Sequence, residues 1–543
     1  MLSRILLVVL LMVPVLGFGQ QTAKLDEAVQ DLAKDGKFMG SVLVARGNEL
    51  LLNKGYGWAD VEKQISNEPQ TKFRLASVTK QFTGAAILLL EDQGKLKIDD
   101  PIRKYLPDTP AAWDKITIFH LLTHTSGIPS FTDSPDYQVF KAYPATPEQL
   151  VARFRDKPLE FAPGEKWNYS NSGYVLLGYL LEKVSGVSYA KFVQENIFAP
   201  LGMKDSGYDS DAEVIERRAI GYTREASGPV KAAYIHMSVP YSAGALYSTT
   251  EDLLRWELGL FGGKLLKAES LQKMTTPFKS GYALGVGVST RDGHKVISHN
   301  GGIEGFRTHL SYYPEEKLTI AVLGNLESGA GEKIASKLAE LMLGIVRKSA
   351  KDRTEIAVPV EVLQRYVGTY EITHRVKNYI RLEGDRLTTQ LTGQKALQLF
   401  AETETKFFLK AVDAQLEFVK NDKGEVTHLV MYQNGRETPV QRVSDKVEMS
   451  PEPKVVTVPV ERLKEYVGTY VLSPNFEIAI TLEGEQLMEQ ATRQPKAPIF
   501  PESETKFFLR VVEAQIEFVR GTDGKVEALI LHQNGLHQKG VRK

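Results

Sequence analysis

The chain has 543 residues, 42% hydrophobic and 25% charged, enough for roughly two to four domains with ordinary cores. Lys+Arg and Asp+Glu both number 67 and cysteine is absent. No long-range field therefore draws the chain to nucleic acid or an anionic membrane, and thiol catalysis and disulfides are excluded. What remains is a neutral protein, with a small molecule or peptide as its expected substrate and no stated oligomeric state.

The first element is MLSRILLVVLLMVPVLGFGQQ. Arg4 gives a positive start, Ile5 to Leu16 an apolar run too short for a comfortable span, and Gly17-Phe18-Gly19 a small-residue site. Residues 1–19 are expected to be a cleaved secretory signal, with a periplasmic or secreted mature chain and no stable membrane span. No cysteine follows the run, which excludes a lipoprotein anchor.

Residues 20–350 mix strand-like runs, such as Gly40 to Ala45 and Leu318 to Leu323, with amphipathic helices. The pattern predicts an α/β (α+β) domain, a sheet flanked by helices. Within it, Phe82, Ala85, Ala86, Leu89 and Leu90 follow helical spacing from Val78, and Gly94 suits a helix stop. Almost no charge lies between Lys80 and Glu91, so this helix should be buried. Ser77 falls at its first turn, where free N–H groups favour a developing oxyanion. Lys80 lies one turn on along the same face. A lysine held there must be paired, neutral or depressed in pKa, and each suits proton transfer. The spacing alone is cheap, since Ser188-x-x-Lys191, Ser270-x-x-Lys273 and Ser503-x-x-Lys506 share it.

His120 and His124, four apart on an expected helix, could reach one zinc ion, but no third ligand or H-E-x-x-H completes a site. No metal or cofactor is expected. Tyr169-Ser170-Asn171 precedes the helical stretch Val175 to Val184. A tyrosine beside a lysine can lose its proton more readily and act as a base, while Asn171 offers an amide to Lys80 and to a substrate carbonyl. After the strand Lys295 to Ser298 comes His299-Asn-Gly301-Gly302. The imidazole can donate to substrate, the glycines permit close approach, and the N–H groups of Ser77 and Gly302 can form an oxyanion hole. No G-x-S-x-G elbow exists, which argues against an α/β-hydrolase.

Beyond two polar linkers, Ser349 to Ala357 and Ser444 to Thr457, the chain repeats itself at an offset of 100 residues. Val358-Pro-Val-Glu361 returns at Val458, Tyr366-Val-Gly-Thr-Tyr370 at Tyr466, Thr405-Lys-Phe-Phe-Leu409 at Thr505 and Gln433-Asn-Gly435 at Gln533. Copies of this length are duplicated domains, expected at 356–445 and 456–543. Ile478, Ile480 and Leu482 alternate with polar residues, and Asp523-Gly524 marks a tight turn between strands, so each copy should be a small antiparallel β-barrel or sandwich. Tyr366, Tyr370, Tyr466 and Tyr470 are expected in the barrel cores.

The ordered set Ser77-x-x-Lys80, Tyr169-x-Asn171, His299-x-Gly301 resembles the serine β-lactamase and penicillin-binding superfamily, in its class C β-lactamase-like branch. His120 to Gly127, Phe161 to Glu165, Leu201-Gly-Met203 and Ala243 to Asp252 strengthen the match, which covers residues 25 to 345. The resemblance implies a central antiparallel sheet flanked by helices. It also implies an acyl-enzyme on Ser77, Lys80 and Tyr169 as the base pair, Asn171 positioning substrate, and His299 as the third-motif residue. That motif departs from the Lys-Thr-Gly of β-lactamases and DD-peptidases. A largely neutral histidine attracts a substrate carboxylate less, and His-x-Gly looks more like the esterases and D-aminopeptidases, the latter also carrying two appended β-barrels. The alternative reading is a penicillin-binding-like sensor or binding protein without turnover.

Overall fold

The structure is a computed structural model. It describes residues 13–225, 228–345, 352–373, 376–392, 394–433, 436–447, 455–473, 476–492, 494, 496–510, 514–521, 523–533 and 536–543. Arg4 and most of the expected signal segment lie outside the described residues. From Val13 the chain forms a helix, Val13–Ala33, that runs through Gly17-Phe18-Gly19. Among the described residues no helix is long and apolar enough to cross a membrane. Two compact units are present, Met1–Ser130 with Lys141–Val346, and Phe131–Phe140 with Arg347–Lys543.

The first unit is built on an antiparallel sheet. Its strands run in the order Gly287–Arg291, His294–Ile303, Phe306–Tyr313, Leu318–Gly324, Gly40–Arg46, Glu49–Tyr56. Strands 40–46 and 318–324 are buried almost throughout, as continuous apolar runs covered on both faces should be. On one face Val42, Val44, Ile320 and Val322 pack with Leu25 and Val29 of the first helix and with Ile334, Leu338 and Ala339 of the Ala330–Leu343 helix. The Thr79–Asp92 helix has no exposed apolar face to spare. Every residue from Thr79 to Leu88 is buried, and Phe82 lies against Trp256 with ring centroids 4.1 Å apart. A helix buried on every side in this way belongs inside a domain.

The second unit holds the repeats. Strands from Gly468–Ser473 to Leu536–Arg542 close into an eight-membered antiparallel barrel. The first copy follows the same path, except that the strand matching Ala497–Pro501 is split at Leu399 into Leu397–Gln398 and Phe400–Ala401. Leu399 instead sends its N–H to Leu387 O, at 2.8 Å. Ile478 and Ile480 face the barrel core, and Leu482 packs against it partly buried. Tyr366, Tyr370, Tyr466 and Tyr470 are fully buried in the two cores. The turn at Asp523-Gly524 is wider than the sequence suggests: Gly521 N–H bonds Lys525 O, so the loop spans five residues. Asn434, Gly435, Asn534 and Gly535 lie outside the described residues, as do parts of both linkers.

Candidate active site

Ser77 stands on a short 3-10 turn, Ala76–Val78, that leads directly into the buried Thr79–Asp92 helix. Three contacts fix the approach. Arg74 pairs with the buried Asp209 at 2.7 Å, Leu75 N–H bonds Leu246 O at 2.8 Å, and Thr308 donates to Leu75 O at 2.8 Å. The next residue, Ala76, is buried with a left-handed φ of +49°. A non-glycine residue persists there only where its surroundings over-determine it. The turn thereby presents Ser77, half-buried, while everything around it is locked.

Lys80 is fully buried. Its Nζ lies 3.2 Å from Ser77 Oγ, 2.9 Å from Asn171 Oδ1 and 2.8 Å from Ala243 O. The rings of Tyr169 and Tyr174 flank it, with centroids 4.9 and 5.4 Å away. Among the described residues no carboxylate pairs with it, and desolvation pushes the amine well below its ordinary value. The nitrogen makes three polar contacts, donating to Asn171 Oδ1, to Ala243 O and to Ser77 Oγ.

Asn171 opens the Asn171–Ser185 helix, which begins four residues before the stretch marked by the sequence. Ser170 caps it by accepting Gly173 N–H, and Gly186 ends it at φ +76°. Asn171 N–H donates to Ser130 Oγ at 3.1 Å. Tyr169 hydrogen-bonds Ser77, yet burial raises its phenol above the ordinary value. The sequence led to the opposite expectation, and the reason for the difference is local. Lys80 meets the ring face rather than the hydroxyl, and the desolvation of the buried phenol outweighs its bond to Ser77.

His299 and Gly301 lie inside the strand His294–Ile303, not after it. Its neighbour Gly287–Arg291 pairs only with residues 294–298, so the strand runs on past that partner from His299. Gly301 meets the nucleophile turn there: a Cβ would fall 2.2 Å from Leu75 O and 2.2 Å from Thr308 Oγ1. Gly302 is exposed beside it. His299 is buried, with Nδ1 2.6 Å from Asn300 O and Nε2 2.9 Å from Tyr282 Oη. Nδ1 must carry the proton to bond a carbonyl, and Nε2 then accepts from Tyr282. Desolvation, with the Lys80 charge as a smaller cause, lowers its pKa to about 3. The ring is neutral and both nitrogens are engaged, so the expected donation from His299 to substrate has no free N–H behind it.

Sequence reasoning passed over several groups of the site. The Ala243 carbonyl has no side-chain signature, Tyr282 stands in no motif, and His124 was paired with His120. The helix carrying His120 stops at Leu122, and His124 lies beyond it with φ +58°. His120 caps that helix through Thr117 instead. The spare Ser-x-x-Lys spacings are structural: Ser188 and Ser503 accept the N–H groups of Lys191 and Lys506, and Ser270 donates to Asp92.

A family model described as Beta-lactamase matches residues 25–341. The chain belongs to the beta-lactamase family. Residues 352–442 and 452–540 each match a domain of unknown function (DUF3471). Penicillin-binding protein 4* of Bacillus subtilis is 28% identical over 439 residues, spanning 75% of this chain and 96% of that protein. Among solved structures, an octameric penicillin-binding protein homologue from Pyrococcus abyssi is 26% identical with a TM-score of 0.54, covering 77% of this chain and 99% of that one. A D-stereospecific amidohydrolase from Streptomyces sp. is 26% identical with a TM-score of 0.52, covering 60% and 99%. The beta-lactamase family thus joins hydrolases, amidases and penicillin-binding proteins around one fold, and the first unit has that fold.

Proposed function

We propose that the chain is an exported serine hydrolase of the class C-like branch that forms an acyl-enzyme on Ser77 and releases it to water. The observation carrying this reading is the position of Lys80 Nζ between Ser77 Oγ, Asn171 Oδ1 and Ala243 O. Lys80, its pKa depressed by burial, takes the Ser77 proton in its unprotonated form as Oγ attacks a carbonyl carbon, and keeps its other two hydrogen bonds throughout. The N–H groups of Ser77 and Gly302 receive the oxyanion, on the first-turn geometry of the one and the exposed strand position of the other. Tyr169, held as a phenol by burial and bonded to Ser77, protonates the leaving group. In deacylation a water attacks the ester, and the Lys80–Tyr169 pair takes its proton.

The third motif narrows the substrate. His299 and Tyr282 present no positive charge, so uncharged esters and amides, including D-amino-acid amides and peptides, are favoured over β-lactams that rely on a carboxylate. The N-terminal segment supports export. A fluorophosphonate should leave a mass shift on the Ser77 peptide, and a screen of p-nitrophenyl esters, D-amino-acid anilides and a chromogenic cephalosporin should rank them in that order. Absence of any adduct, where a control hydrolase is labelled, would replace this reading with a non-catalytic penicillin-binding-like sensor.

A further inference from the structure

His124 combines two features that a folding chain ordinarily avoids. Its backbone is left-handed, with φ +58°, and its buried Nε2 has no hydrogen-bond partner. Nδ1 accepts Ser170 N–H at 3.1 Å, so in the neutral ring the proton sits on that unpartnered Nε2. Burial keeps the ring neutral, and the charge of Lys80 acts in the same direction. A residue that retains both liabilities is held by its neighbours for a reason.

Those neighbours are the second motif. The His124 ring lies 4.2 Å from the Tyr169 ring at 38°, with Tyr282 at 4.6 Å and Tyr174 at 5.0 Å around it. Its carbonyl accepts Asn168 N–H at 2.9 Å. One residue therefore grips the backbone on both sides of Tyr169 and supports the phenol ring between them. We propose that His124 is a positioning residue, setting the Tyr169 phenol and, through Ser170 N–H, the helix turn that carries Asn171 to Lys80. A left-handed φ supplies the geometry by turning the chain so that ring and carbonyl both face residues 168–170.

The kinetic readout rests on the hydrolase reading, so the test includes one that does not. His124→Phe keeps a flat ring and loses the acceptor; His124→Asn keeps an acceptor, tolerates the left-handed backbone and loses the ring. Turnover of p-nitrophenyl butyrate is measured per site titrated with a fluorophosphonate, which sets misfolded molecules aside. Each variant should lose about tenfold to a hundredfold in kcat, the scale of a catalytic group displaced by about 1 Å, with KM little changed. His124→Asn should outperform His124→Ala. Wild-type kcat per titrated site in both His124→Phe and His124→Asn would overturn the proposal, whatever their melting temperatures. Should the wild-type chain itself show no turnover, crystal structures decide. A Tyr169 ring displaced in His124→Phe upholds the proposal, and a ring in its original place overturns it.

Discussion

The two barrels and the surroundings of Ser77 handle buried polar groups differently. In the barrels the same bonds recur at the same offset. Tyr366 and Tyr466 donate to Glu404 O and Glu504 O, Tyr370 and Tyr470 to Tyr366 O and Tyr466 O, and Arg442 and Arg542 to Val367 O and Val467 O. Even the entering chain repeats, with Ile356 and Val456 N–H bonded to Ala401 O and Pro501 O. Those bonds satisfy backbone carbonyls with side chains that suit their places. Around Ser77 the local rules fail together: Ala76 and His124 are left-handed, Lys80 is buried with no carboxylate partner among the described residues, and His124 keeps an orphan nitrogen. Duplication isolates what a fold needs, and three such departures meeting around one serine mark what a fold does not need for itself.

Removing the reacting groups is the harshest way to break that contrast. Ser77→Ala should lose at least about ten-thousandfold in kcat/KM, while Lys80→Ala and Tyr169→Phe should each lose at least about a hundredfold. Circular dichroism of Ser77→Ala should match the wild type, since the change removes one hydroxyl from a half-buried residue. Wild-type rates in either of the other two would remove that residue from the mechanism.

A pH series probes the same unit more gently. Because burial depresses the Lys80 value, kcat/KM should rise with pH along an acid limb lying well below the ordinary lysine range. Tyr169, raised, should give no basic limb below about pH 10. Stability carries the same sign. Between the folded and unfolded Lys80 values the unfolded chain binds more protons, so melting temperature should climb with pH over that window. Lys80→Met should remove that part of the slope. An acid limb unchanged in position when assayed in a Tyr169→Phe background, but lost with Lys80, would assign it to the amine.

Next in size is a pair of glycines one residue apart. Gly301→Ala drives a methyl into Leu75 O and Thr308 Oγ1, each 2.2 Å away, and must part the third-motif strand from the nucleophile turn. A displacement of about 1 Å predicts roughly a hundredfold loss in kcat/KM. Gly302→Ala meets only the Arg307 guanidinium, at 3.4 Å, keeps its N–H and should change the rate little. Equal losses from the two would mean that the close approach at Gly301 is not what aligns the oxyanion donors.

The contrast also explains what was legible beforehand. Barrel repeats announce themselves because identical residues do identical work at a fixed spacing, and the buried helix does so because charge is missing between Lys80 and Glu91. Ser77 and Lys80 were legible for that reason, Asn171 from its place in Tyr169-Ser170-Asn171, and the three do converge. Environment was not legible. The direction of the Tyr169 shift, the engaged nitrogens of His299 and the carbonyl of Ala243 depend on which distant segments close over Lys80, and spacing along one segment carries no such information. His124 was within reach, since it stands in the stretch His120 to Gly127 that strengthened the family resemblance. Helical spacing placed it on the wrong element.

The smallest expected effect tests the barrel half of the comparison. Tyr366→Phe and Tyr466→Phe each delete one hydroxyl that donates to a backbone carbonyl, of Glu404 or Glu504, at 3.0 and 2.8 Å, while leaving the ring stacked on Phe418 or Phe518. Each should cost about 1 kcal/mol, an amount that moves the transition of a domain this size by about 4–8 °C. Hydrogen exchange in strands Ala414–Lys420 and Ala514–Arg520 reads the copies separately within the full chain. The two losses should agree within about 0.5 kcal/mol and add in the double variant, because the tyrosines share no partner. A much larger loss in one copy would mean that this barrel has acquired a role its twin lacks. Ester turnover should stay at the wild-type rate in both.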